Sequence, residues 1–122
     1  MLIKLFNIDS VPLANRKRYS YIWRVKLKWT WDDNKNRTNK RDHGLSFEAA
    51  QYVFADPLAV SRPDPCPEEE RWQTIGLIGK LTVFVVHTWP ESDSVTGEET
   101  GRIISARRAT AHERRAYEEG RF

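Results

Sequence analysis

Alternating apolar and polar residues mark the first strand that the sequence predicts. Every odd position from Tyr19 to Trp31 is aromatic or aliphatic, and the even positions are polar apart from Ile22. A period of two sends alternate side chains to opposite faces of a strand, so one face of this segment is expected to be buried. Its full length would extend about 43 Å, too long for a small domain, so we expect a bend or a later start.

Two helices are predicted after this strand. Asp32 and Asp33 can cap the first, which runs through Asp42 and stops where Gly44 can become left-handed. This helix contains no apolar residue, which is unusual for an element that packs on a core. Ser46 can cap the second helix, which should end at Asp56-Pro57. Its expected core-facing residues are Phe47, Ala50, Val53 and Phe54.

The second half of the chain predicts an antiparallel sheet and a terminal helix. The expected elements are strands over 58–62, 71–78, 81–88 and 102–109 and a helix over 111–119. Gly79-Lys80 between the two central strands suits a type II′ hairpin turn. Thr110 and Glu113 have the spacing of a capping box for the last helix. A strand and two helices before an antiparallel sheet and a C-terminal helix predict an α+β domain.

Composition and charge divide the chain into a basic extension and one globular domain. The chain has 122 residues, 39% hydrophobic and 30% charged, enough to bury a core of its own. The net charge of +3 arises in residues 1–27, where Asp9 is the single acidic residue. We therefore predict a basic, in part disordered extension over residues 1–26 and a single domain over residues 27–122. The lone Cys66 and the lack of a long apolar run indicate a cytoplasmic protein without a membrane partner.

The candidate functional residues are cations on the predicted strands. A planar guanidinium donates two hydrogen bonds at once, which suits a phosphate. These cations are Arg71 on the first hairpin strand and Arg102, Arg107 and Arg108 on the last strand. The alternative is that they pair with the glutamates at 68–70 or 98–99.

His87 is the candidate for proton transfer, because a histidine titrates near neutral pH. The alternative is a half-buried histidine bonded to the backbone. A two-residue turn at Gly79-Lys80 sets Trp72 opposite His87, so Arg71 and His87 lie on opposite faces unless a bulge intervenes. We therefore rank the Arg71 face first. The sequence has neither metal-ligand histidine spacing nor a glycine-rich phosphate loop, so no metal or cofactor is expected.

A series of short segments resembles a known family. They are WDDNK at 31–35, Asn39 with His43-Gly44, LSFEAA at 45–50, VFADPLAV at 53–60, ERWQTIG at 70–76, and RIISARRAT at 102–110 followed by HERRAYEEG. In order and spacing, residues 28–120 resemble BrnT, the toxin half of bacterial type II toxin–antitoxin modules. The resemblance implies a RelE-like fold and a ribonuclease that arrests translation. It also implies a BrnA-type antitoxin with a ribbon-helix-helix DNA-binding domain, a dimer within the complex, and DNA contact through the antitoxin alone.

The resemblance implies a metal-free reaction in which a ribose 2′-hydroxyl attacks the adjacent phosphorus. Arg71, Arg107 and Arg108 match positions that the family usually keeps basic. Relatives often carry Thr-x-Arg after the second hairpin strand, whereas here Thr88 is followed by Trp-Pro-Glu. Two functions therefore stay open: an RNA endonuclease toxin, and a non-catalytic module that binds the antitoxin and acts as a co-repressor.

Overall fold

A six-stranded sheet forms the centre of the part of the chain that the structure describes, residues 27–122. In this computed structural model the strands are β1 (Leu27–Thr30), β2 (Val60–Asp64), β3 (Arg71–Ile78), β4 (Leu81–His87), β5 (Glu91–Ser92) and β6 (Glu99–Arg108). Their order is β1-β6-β4-β3-β2, and β5 pairs with β6. The predicted extension over residues 1–26, with most of the alternating segment, lies outside the described residues.

The described part of the chain contains three α-helices, and their predicted caps are present. The helices are α1 (Asp33–His43), α2 (Phe47–Ala50), which continues as a 3-10 turn (Gln51–Ala55), and α3 (Ala111–Glu119). The Asp32 side chain accepts a hydrogen bond from the Lys35 N–H, and Gly44 ends α1 with φ 70°. Thr110 and Glu113 form the predicted capping box of α3. The α+β class and the C-terminal helix are thereby confirmed.

The predicted hairpin register is confirmed. Strands β3 and β4 are antiparallel, and Trp72 lies opposite His87. Gly79 has φ 61°, and within residues 27–122 every positive φ belongs to a glycine. Lys80 therefore has a negative φ, which is the pattern of a type II′ turn.

The strands differ from the prediction in four places: β5 is absent from it, β6 starts at Glu99 and not at residue 102, and the other two differences concern β2 and β1. Strand β2 starts at Val60 and runs through Pro63, which was expected in a loop. Proline is tolerated there because β2 is an edge strand and its outer side needs no ladder donor. The sheet is also not wholly antiparallel, because β1 pairs in parallel with the start of β6. Gly101 makes this pairing possible: a side chain at that position would collide with the Trp29 ring.

The sheet is covered by helices on both faces. On the face that we call the α1/α2 face, the described core consists of Trp29, Leu45, Phe47, Ala50, Val53, Phe54, Val83, Val85, Ile103 and Ala106. On the other, the α3 face, Tyr117 packs on Ile75 and Phe84. Helix α3 is short, and the part of this face that carries Arg71, Gln73 and Val86 is half-buried.

A buried asparagine explains how the all-polar helix α1 holds to the sheet. Beyond Arg102 the outer edge of β6 has no strand partner among the described residues. Asn39, only 7% exposed, binds to this edge in place of a strand. Its amide nitrogen donates to the carbonyls of Leu45 and Ala106 at 2.9 and 2.7 Å, and its oxygen accepts from the Ala106 N–H at 3.1 Å. Three hydrogen bonds thus replace the missing apolar stripe.

We expect Asn39→Ala to lower the free energy of unfolding by about 2 kcal/mol, because it leaves buried backbone groups of β6 and Leu45 without partners. Thr38→Ala is the matched control, since Thr38 is exposed on the same helix. Chemical denaturation followed by circular dichroism measures both variants. Equal stability of the two variants would show that α1 is held by other contacts.

Candidate active site

Strand pairing places Arg71 and Arg107 on the α3 face. Residues directly opposite in neighbouring strands point to the same side of a sheet. Arg107 lies opposite Phe84, whose ring packs under α3, and Phe84 lies opposite Ile75. Arg71 is four residues before Ile75 on β3 and therefore shares its face. The two strongest sequence candidates thus project on the same side.

Arg108 projects to the opposite side. It lies opposite Val83, which belongs to the core of the α1/α2 face. Its side chain is exposed and makes no hydrogen bond or ion pair within residues 27–122. Arg107 and Arg108 are neighbours in the sequence but cannot both contact one ligand on the α3 face.

A β-bulge brings Arg102 to the α3 face. Val86 lies opposite Ser105, but the next residue, His87, lies opposite Ile103, so β6 carries one extra residue at this point. A bulge of this kind shifts the alternation of the residues that precede it. Ile103 is consequently buried on the α1/α2 face, and Arg102 points to the same side as Arg107.

Glu69 joins Arg71 and Arg102. Its Oε2 accepts from Arg71 Nε at 3.1 Å, and its Oε1 accepts from Arg102 Nη2. The three side chains are 30%, 29% and 47% exposed, so solvent reaches the cluster. The hydrogen bond from Arg71 is the main cause that lowers the pKa of the Glu69 carboxyl, and Arg102 adds to it. The carboxylate pairing that the sequence left open is therefore present at two of the candidate arginines.

Arg107 is held by a glutamate that the sequence predicts only as part of a helix cap. Glu113 accepts two parallel hydrogen bonds from Arg107, at 2.7 and 3.0 Å, and this pairing lowers the pKa of the carboxyl. The guanidinium also lies 4.1 Å over the Phe84 ring. The two terminal nitrogens are thus engaged, and the Nε–H makes no hydrogen bond within the described residues.

His87 is buried in the core and does not reach the α3 face. It is 1% exposed, and its ring contacts those of Trp29 and Phe54. Its Nδ1 donates to the carbonyl of Thr88 at 2.8 Å, so Nε2 accepts from the hydroxyl of Thr74 at 2.6 Å. Burial lowers the pKa of His87 to about 4, so the ring is neutral at pH 7. Of the two roles considered for His87, the structure agrees with a histidine bonded to the backbone and not with one that transfers protons on the α3 face.

The arrangement can bind an anion through guanidinium groups on one open sheet face. Of the five sequence candidates, the structure brings Arg71, Arg102 and Arg107 to this face and leaves Arg108 and His87 on the other. Sequence reasoning named Arg102 and the glutamates at 68–70 but did not predict that Glu69 joins Arg102 to Arg71 on this face. Within residues 27–122, no three His, Cys, Asp or Glu side chains come together as metal ligands would. None of the described helices is both long and apolar enough to cross a membrane.

Comparison with known proteins places this chain in a family. A search among curated proteins finds no match to the chain. The family model described as the ribonuclease toxin, BrnT, of type II toxin–antitoxin systems matches residues 31–113, which include both helices before β2, the arginines of the α3 face and the start of α3. Because this match covers well over half of the sequence, the chain belongs to the BrnT family of ribonuclease toxins.

Proposed function

We propose that this protein is the toxin of a type II toxin–antitoxin module and an RNA endonuclease that arrests translation. The observation that carries the proposal is the placement of Arg71 and Arg107 on one open sheet face of a chain in a ribonuclease toxin family. The RelE-like fold that the family resemblance implies would agree with this function. Guanidinium groups on a solvent-accessible face suit a polyanionic substrate such as RNA.

The proposed reaction needs no metal. The ribose 2′-hydroxyl loses its proton and attacks the adjacent phosphorus, the bond to the 5′ oxygen breaks, and that oxygen takes up a proton. A 2′,3′-cyclic phosphate and a 5′-hydroxyl result. Negative charge accumulates on the phosphoryl oxygens in the transition state, where aligned donors have their largest effect. Arg71 and Arg107 are proposed to supply these donors, and His87 and Arg108 are left out because they lie on the other side of the sheet.

The proposed partner is a BrnA-type antitoxin with a ribbon-helix-helix domain, acting in the cytoplasm. The toxin would form a dimer within this complex and meet DNA only through the antitoxin. A second function keeps the partner and removes the chemistry: a non-catalytic module that acts as a co-repressor. The carboxylates on Arg71 and Arg107 and the missing arginine after Thr88 favour this second function.

Induced expression without any antitoxin separates the two functions. We expect growth arrest with decay of cellular RNA, and cleavage of purified RNA by the purified protein in the presence of a metal chelator. Unaffected growth and intact RNA would favour the co-repressor module. Cleavage that the chelator abolishes would show that the metal-free mechanism is wrong while leaving the ribonuclease in place.

A further inference from the structure

The Glu69 carboxylate occupies the position in which a bound phosphate would meet two arginines. Its two oxygens accept from guanidinium groups that come from different strands, β3 and β6. Non-bridging oxygens of a phosphodiester offer the same two acceptors to the same two donors. The bulge in β6 has a direct consequence here, because without it Arg102 would point to the opposite side of the sheet.

We propose that Arg71 and Arg102 form a phosphate subsite for single-stranded RNA and that Glu69 fills this subsite as an internal anion until an RNA phosphate displaces it. The proposal rests on the RNA substrate proposed above. It adds a binding residue, Arg102, and assigns Glu69 the role of a competitor that weakens RNA binding. An internal competitor multiplies the intrinsic affinity by the fraction of time that the arginines are free, and so lowers the apparent affinity.

The contacts of Glu69 fit displacement. Both of its side-chain hydrogen bonds go to the two arginines, and it lies on the exposed connection between β2 and β3. Glu113, the partner of Arg107, differs: it also accepts from the Thr110 N–H and is only 14% exposed. Moving the Glu113 side chain would break its half of the capping box of α3, whereas moving Glu69 breaks only the contacts that a phosphate would restore.

The same contacts argue against Glu69 as the base that takes the 2′-hydroxyl proton. Its two oxygens both face guanidinium groups, and this pairing lowers the pKa of the carboxyl. A carboxylate stabilised in this way is a weaker proton acceptor than a free one. A competitor and a base also predict opposite effects of neutralising Glu69, so one variant distinguishes them.

The test is Glu69→Gln, which keeps the shape of the side chain and removes its charge. Affinity is measured by fluorescence anisotropy at fixed salt, with a labelled single-stranded RNA whose riboses are 2′-O-methylated and cannot be cleaved through the 2′ oxygen. We expect Glu69→Gln to bind about three- to tenfold more tightly than the unmodified protein. Glu68→Gln is the matched control for net charge, since Glu68 is exposed and pairs with neither arginine; it should change affinity less than about twofold. Adding Arg102→Ala to Glu69→Gln should remove the gain.

Unchanged or weaker binding by Glu69→Gln would overturn the proposal, as would an equal gain in Glu68→Gln. A loss of cleavage of about a hundredfold in Glu69→Gln with unchanged binding would assign Glu69 to proton transfer instead. The proposed function is tested separately by cleavage of unmodified RNA. Tighter binding without any cleavage supports the subsite and contradicts the ribonuclease, whereas cleavage without tighter binding does the reverse.

Discussion

Replacing Arg71 or Arg107 with alanine is expected to slow RNA cleavage by about 10²–10³ while the protein stays folded. Each change removes a guanidinium group from the α3 face, where the proposed reaction develops charge on the phosphoryl oxygens. The fold should survive because a partly exposed strand arginine and its carboxylate contribute on the order of 1 kcal/mol or less. Single-turnover cleavage of a labelled RNA measures the rate, and circular dichroism and thermal unfolding report the fold.

Arg108→Ala is the matched control for these two variants. It removes the same charge from the neighbouring position on the same strand, but on the opposite face. We expect this variant to cleave within about threefold of the unmodified protein, since its distant charge acts only through solvent. Arg71→Lys should recover little activity if two parallel hydrogen bonds to one phosphate are needed. Normal cleavage by both Arg71→Ala and Arg107→Ala, or an equal loss in Arg108→Ala, would show that the proposed face is wrong.

Local signals in the sequence predicted the elements and the hairpin register well. Asp32, Gly44 and the Thr110–Glu113 pair each satisfy helix ends through contacts a few residues away. The two-residue turn at Gly79 fixes the pairing of β3 with β4 through sterics alone. Such features depend on neighbours in the chain and are therefore visible before any tertiary contact is known.

The features that escaped prediction depend on contacts between distant residues. Asn39 bonds the backbone of Ala106, 67 positions away, so no local pattern could reveal why an all-polar helix docks. The parallel pairing of β1 likewise needs a glycine at 101 to admit Trp29. Since β-pairing between remote segments leaves no periodic signal of its own, the order of the strands had to come from the structure.

The candidate site was predictable in part from the alternation of side chains along a strand. Alternation along a strand alone separates Arg107 from Arg108, which sit on successive positions of β6. Alternation also groups Arg102 with Arg108, and that grouping is wrong because of the bulge between Val86 and His87. A bulge in β6 depends on how β4 and β6 pack together. Arg102 could therefore be placed on the α3 face only in the folded chain.

His87→Ala is expected to lower the free energy of unfolding by about 3 kcal/mol at pH 7. The change leaves a cavity beside Trp29 and Phe54 and removes a partner from the Thr88 carbonyl and the Thr74 hydroxyl. His112→Ala, at an exposed histidine, is the control and should change stability by less than about 0.5 kcal/mol. Chemical denaturation at equilibrium measures both variants.

The pH dependence of stability distinguishes a neutral buried histidine from any other role of His87. Burial lowers the pKa in the folded protein to about 4, whereas the unfolded chain takes up the proton near the ordinary value of 6.5. Protonation therefore favours unfolding: the stabilisation is complete above pH 6.5 and is lost as the pH falls towards 4.

Between pH 6.5 and 4 the unmodified protein should lose about 1.4 kcal/mol of stability per pH unit. The contributions of Glu69 and Glu113, whose pKa values lie below the ordinary 4.5, disappear only at lower pH. His87→Ala should lack this slope, and His112→Ala should keep it. The difference in stability between the unmodified protein and His87→Ala should therefore close as the pH falls from 6.5 to 4.5. Equal slopes in all three proteins would contradict the assignment.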